Sequence, residues 1–103
     1  RFGPVVVAGL GGVMAEAMKD VSNRLAPVDA DEARRMLSEL RGAALLGPFR
    51  GRPAVDLAAV AEIIANVSRL LIELPEVQEL DLNPVLVGAI GEGCIAVDGL
   101  AVV

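Results

Sequence analysis

The sequence predicts an α+β fold in which an antiparallel sheet packs against two helices. Three observations predict it: a strand pair hinged on glycines near the start, two consecutive amphipathic patterns opened by capping acids, and a hairpin pattern near the end. The resulting order, β-β-α-α-β-β, is that of an α+β sandwich.

The elements follow in order. Pro4-Val5-Val6-Val7-Ala8 reads as a short buried strand, and Gly9-Leu10-Gly11-Gly12 as the turn that ends it, where glycine gives the backbone its freedom. Residues 13–25 carry two periods at once. Val13, Ala15 and Ala17 alternate, while Val13, Ala17, Val21 and Leu25 are four apart. A second strand hinged on the glycines is the reading adopted, closed by Ala26-Pro27. Lys19, Asp20 and Arg24 are expected to be solvated or paired with one another. Asp29 to Arg41 is a helix: Asp29 caps it, Glu32 completes a capping-box pattern, and Ala33, Met36, Leu37 and Leu40 share a face. Gly42 to Pro53 is a loop rich in glycine and proline; it carries Arg50 and Arg52, which could bind an anion or remain solvated. Asp56 caps a second helix over about 57–73, whose apolar stripe (Leu57, Val60, Ile64, Val67, Leu71, Leu74) is widened by Ile63 and Leu70. A helix this apolar is covered on more than one side. Pro75 stops it. Runs 77–87 and 94–98, joined by Gly88-Ala89-Ile90-Gly91-Glu92-Gly93, are written as a β-hairpin, and Leu100-Ala101-Val102-Val103 closes the chain.

The most informative stretch is Glu79-Leu80-Asp81-Leu82-Asn83-Pro84, followed by Asp98. Alternate strand residues share a face, so Asp81 and Asn83 lie side by side. Grouped carboxylate and amide oxygens suit Mg²⁺, which takes one or two carboxylates together with nucleotide phosphates. The same run also reads as a strand leaving the core through an Asn-Pro turn, and spacing alone favours the turn. A hairpin would return Asp98 close to Asn83, which strengthens the metal reading.

Composition narrows the function. The 103 residues suffice for one small domain. Hydrophobic content is 54% and mean hydropathy +0.60, yet the longest apolar run, Ile63 to Leu74, is interrupted by Asn66, Ser68, Arg69 and Glu73. High apolar content without a membrane span implies a surface that meets another protein segment, so the chain reads as a piece of a larger molecule that self-associates. A net charge of −5 and only two aromatics, Phe2 and Phe49, argue against nucleic acid. Cys94, alone in an apolar strand, reads as a small hydrophobe in a reducing compartment. No signal peptide is visible, and a cytoplasmic location is expected. Without histidine, the chain holds no Ser–His or Cys–His site and no phosphohistidine. Gly9-Leu10-Gly11-Gly12 is not a Rossmann fingerprint, because Met14 stands where the third glycine belongs.

Phe2-Gly3-Pro4-Val5-Val6, Gly9-Leu10-Gly11-Gly12, Glu16, Lys19-Asp20, Arg24-Leu25-Ala26-Pro27, Gly51-Arg52-Pro53 and Glu79-Leu80-Asp81-Leu82-Asn83-Pro84 with Asp98 together resemble the ATP-grasp region of NDP-forming acyl-CoA synthetases. These are the ADP-forming acetate–CoA ligases, relatives of succinyl-CoA synthetase β subunits. The resemblance runs through essentially the whole chain and implies the C-terminal ATP-grasp subdomain of a ligase. That ligase interconverts acyl-CoA, ADP and phosphate with acid, CoA and ATP through a phosphohistidine. By resemblance Asn83 and Asp98 match the Mg²⁺-nucleotide ligands, and Asp81 an acidic position beside them. Gly11, Gly12 and Glu16 match a Gly-Gly-x-x-x-Glu stretch near the phosphates. The implied cofactors are Mg²⁺ and ATP or ADP. The implied partners are the remainder of the ATP-grasp domain and a CoA-binding domain, both outside this chain. Asn23 departs from the pattern, which has an apolar or aromatic residue there. Some relatives fuse this region to an acyltransferase, which leaves a non-catalytic scaffold as the alternative.

Overall fold

The computed structural model describes residues 3–11 and 20–103. Strand β1 (Val5–Gly9) pairs antiparallel with β2 (Val21–Leu25), Val5 opposite Leu25 and Gly9 opposite Val21. Helix α1 (Ala30–Ser38), a short 3-10 turn (Ala43–Leu46) and helix α2 (Leu57–Glu73) follow. Strands β3 (Glu79–Leu82), β4 (Val85–Val87), β5 (Cys94–Ala96) and β6 (Gly99–Val102) close the chain; β3 pairs with β6 and β4 with β5. The α+β class holds, with the described strands arranged as three two-stranded antiparallel ladders.

The core lies where β1 meets the two helices. Val6, Val28, Ala33, Met36, Leu37, Leu40, Ala61 and Ile64 form it. The stripe read from α1 is the one buried, with Ala33 and Met36 fully shielded. Truncating a side chain like Met36 costs about 2–5 kcal/mol. Helix α2 divides its apolar surface. Ala61, Ile64 and Ser68 are buried, and the small residues allow close packing against α1. Ser68, the polar break in the apolar run, is wholly buried and its hydroxyl accepts the Val28 N–H at 2.6 Å.

Three expectations need correction. The strand at 4–8 is half-buried, not buried: Val6 is enclosed but Val5 and Val7 are 53% and 58% exposed, because one face of the β1–β2 ladder is open. Asp20 and Arg24 do not pair with each other. The buried Asp20 carboxylate accepts the Arg41 and Gly42 amides at 2.7 and 2.8 Å, closing the backbone after α1. Arg24 reaches Glu32 at 3.0 Å and Glu39 at 2.6 Å, tying β2 to α1. The capping box forms only in half. Asp29 accepts the Glu32 amide at 2.7 Å, but the Glu32 carboxylate is taken by Arg24 and Arg35. Among the described residues no helix is long and apolar enough to cross a membrane.

Candidate nucleotide and metal site

The single strand expected over 77–87 is broken at Asn83-Pro84. Proline has no N–H for the ladder, so the strand must stop there. The hairpin itself continues through the break. Leu82 stands opposite Gly99 and Val85 opposite Ala96, so one register spans both halves and sets Asn83 opposite Asp98. The Asn83 N–H donates to the Asp98 carbonyl at 3.1 Å, and the Val97 N–H to the Pro84 carbonyl at 2.9 Å. A regular antiparallel ladder bonds only alternate pairs. Here two successive pairs bond, so the phase slips by one residue. Burial records the slip: Leu80 and Leu82 turn inward before it, Val85 and Val87 after it. Asp81, Asn83 and Asp98 are left exposed at the break.

A cleft of about 440 Å³ opens beside this point. Its walls come from β1 and the following Gly11, from the Val60, Ile63 and Val67 face of α2, and from Leu80 to Val85. The α2 stripe not used against α1 is thus the cleft wall. Gly11, Asp81 and Asn83 share the cleft; Asp98 stands across the ladder from Asn83, outside the lining. Among the described residues a Cβ on Gly11 would meet nothing within 4 Å. Gly12 and Glu16 lie outside the described residues.

The donors suit a hard cation shared with a ligand. Asp98 uses Oδ1 to accept the Gly99 N–H at 2.8 Å, which fixes the carboxylate and leaves Oδ2 available. Among the described residues the Asp81 and Asn83 side chains take no hydrogen-bond partner. Also among the described residues, no three His, Cys, Asp or Glu side chains gather into a protein-only cage. Two carboxylates and one amide oxygen are the donor types Mg²⁺ takes when phosphates complete its shell.

Asp56 has a role beyond the cap read from the sequence. Its side chain accepts the Ala59 N–H at 3.2 Å and, through Oδ2, the Gly91 and Gly93 amides at 3.1 and 2.9 Å. Helix α2 is thereby pinned to the tip of the hairpin that carries Asn83 and Asp98 midway along its length. Gly91 and Gly93 have φ of +87° and +80°, and their spacing two apart was the available signal. The Gly93 bond first, then that from Ala59, holds the Asp56 carboxyl below its ordinary pKa against the opposing effect of burial. Burial pushes the Cys94 thiol up, with Asp56 and Glu62 adding to it, which fits an unreactive side chain.

The ATP-grasp domain family matches residues 1–103, the whole chain. The chain belongs to the ATP-grasp family. Among relatives of this ATP-grasp chain, a trans-feruloyl-CoA synthase from an unknown prokaryotic organism is 46% identical over 103 residues, 100% of this chain and 15% of the synthase. The acetate–CoA ligase [ADP-forming] I subunit beta of Pyrococcus furiosus is 43% identical over 98 residues, 95% of this chain and 41% of the subunit. The dinucleotide forming acetyl-coenzyme A synthetase 1 of Ca. Korarchaeum cryptofilum, solved with coenzyme A and Mg-AMPPCP, superposes with a TM-score of 0.90 at 38% identity, covering 100% of this chain and 47% of that one. The ATP-grasp chain therefore spans less than half the length of these relatives.

Proposed function

We propose that this chain is the nucleotide- and Mg²⁺-binding part of an NDP-forming acid–CoA ligase, which interconverts acyl-CoA, ADP and phosphate with the free acid, CoA and ATP. The observation that carries the reading is the opposition of Asn83 and Asp98 beside a cleft shared with Gly11, in a chain that matches the ATP-grasp family throughout. In this reading the Asn83 amide oxygen and the Asp98 and Asp81 carboxylates hold Mg²⁺. By resemblance Gly11, Gly12 and Glu16 are assigned to the phosphates, Gly12 and Glu16 lying outside the described residues. Held by the Asn83, Asp98 and Asp81 side chains, Mg²⁺ would supply positive charge to offset that of the phosphates during phosphoryl transfer. Val60, Ile63 and Val67, each half-buried, give that wall of the cleft an apolar lining.

The phosphorylated histidine belongs outside these residues, which contain none. The remainder of the ATP-grasp domain and a CoA-binding domain are the partners, in a cytoplasmic oligomeric ligase. Support for such partners comes from the open outer faces of β1–β2, with Val7 and Leu25, and of β4–β5, where Leu86 and Ile95 are 57% and 65% exposed.

The test is ADP formation by the full-length protein supplied with ATP, CoA and a panel of carboxylic acids. Acid- and CoA-dependent ADP release supports the ligase. Nucleotide binding without acid-dependent turnover would mean a non-catalytic module.

A further inference from the structure

The chain carries net charge −5, and most of its described cations are neutralised locally. Arg24 and Arg35 meet Glu32 and Glu39, Arg41 meets Asp20, and Arg69 meets Glu73. Among the described residues Arg34, Arg50 and Arg52 form no ion pair. Two of these three sit together on one turn.

That turn is rigid. Phe49 and Arg52 exchange both backbone hydrogen bonds, at 3.0 and 2.9 Å. The two residues between them have positive φ, +49° at Arg50 and +77° at Gly51, the geometry of a type I′ turn. Position 50 would suit asparagine or glycine better, yet an arginine occupies it. Each guanidinium is also placed. Arg52 donates one Nη2 hydrogen to the Leu45 carbonyl at 2.7 Å and keeps its other donors. Arg50 lies over the Phe49 ring, 5.2 Å from its centre. The turn projects from a stem where the Val55 N–H donates to the Leu46 carbonyl at 2.9 Å, and both stem residues line the cleft.

We propose that the Phe49–Arg52 turn is a preformed binding site for a phosphate-bearing ligand, with Arg50 and Arg52 as its donors. A phosphate monoester presents three oxygens, enough for two guanidinium forks; a single carboxylate satisfies only one. Because the backbone turn is already closed, ordering it costs nothing further on binding. The site goes beyond the Mg²⁺-nucleotide reading and uses none of its residues.

The experiment is calorimetric titration of the full-length protein and its Arg50→Gln and Arg50→Lys variants. The probes are inorganic phosphate, ADP without Mg²⁺, coenzyme A and 3′-dephospho-coenzyme A. At least one phosphate-bearing probe should bind Arg50→Gln about tenfold or more weakly, with part of the loss restored in Arg50→Lys. Thermal midpoints should match wild type, because residue 50 is exposed. The probe that weakens identifies the source of the phosphate, and a loss for coenzyme A but not its dephospho form points to the 3′-phosphate. Affinities within about twofold of wild type for all four probes would overturn the site, as would a loss matched by a lower thermal midpoint. The Arg50 variants leave Asn83 and Asp98 unchanged, so failure of the nucleotide reading leaves this result interpretable.

Discussion

Asn83 and Asp98 face each other across a hairpin at the point where its phase slips, joined by a 3.1 Å bond from the Asn83 N–H to the Asp98 carbonyl. The alternation that turns Leu80 and Leu82 inward carries Asp81 and Asn83 outward, and Asp98 shares that face across the ladder. Unbroken, it would carry position 84 inward; proline interrupts the ladder there, and Val85 and Val87 turn inward beyond it.

Asp56 couples that hairpin to α2, and its removal should be felt through pH. The amides of Gly93, Ala59 and Gly91 lower its pKa, so the charged form is favoured by folding. The stability this contributes is present above the ordinary aspartate range and disappears as pH falls through the lowered folded value. Asp56→Ala should therefore have a lower urea midpoint than wild type at pH 7. The gap should narrow as both proteins are titrated into acid. A gap independent of pH would contradict the assignment. Asp20, held low by Gly42 and then Arg41, should behave alike.

Ser68→Ala should destabilise the protein by about 1–3 kcal/mol, because it leaves the buried Val28 N–H without an acceptor. Ser38→Ala is the control. Ser38 is exposed at the end of α1 and bonds only the Arg35 carbonyl, so its change should stay within about 0.5 kcal/mol. Urea unfolding of both variants checks the contrast.

The two glycines flanking Leu10 should separate structure from binding. A Cβ on Gly9 would come within 2.9 Å of the Asp20 carbonyl oxygen and of Val21 Cγ1, so Gly9→Ala should cost about 1–3 kcal/mol. Among the described residues nothing crowds a Cβ on Gly11, so Gly11→Ala should leave the thermal midpoint unchanged while weakening nucleotide binding. A Gly11→Ala protein that binds nucleotide normally would remove Gly11 from the phosphate site.

Local signals were readable and distant ones were not. The limits of α2, Leu57 to Glu73, follow from Asp56 and Pro75, both within two residues of it. The hairpin was legible from its glycine link, but not the division of its strands at Asn83-Pro84. Asp20 escaped because its partners, Arg41 and Gly42, are some twenty residues away and are backbone amides, which sequence does not distinguish. Ser68 looked like a break in an apolar run; only packing against α1 reveals it as a buried acceptor. Of the site, Asp81, Asn83 and Asp98 were legible as a group through strand alternation and hairpin return. That Gly11 shares their cleft depends on how β1 and β3 sit about α2, which no spacing encodes.

The most direct test of the account is Mg²⁺-dependent ADP titration of the full-length protein and its Asn83→Ala/Asp98→Ala variant by calorimetry. The account predicts binding that requires Mg²⁺ in the wild type and is lost in the variant, with the thermal midpoint retained because both side chains are exposed. Equal Mg²⁺-dependent binding by the two proteins would contradict it and make Asn83 and Asp98 parts of a turn alone.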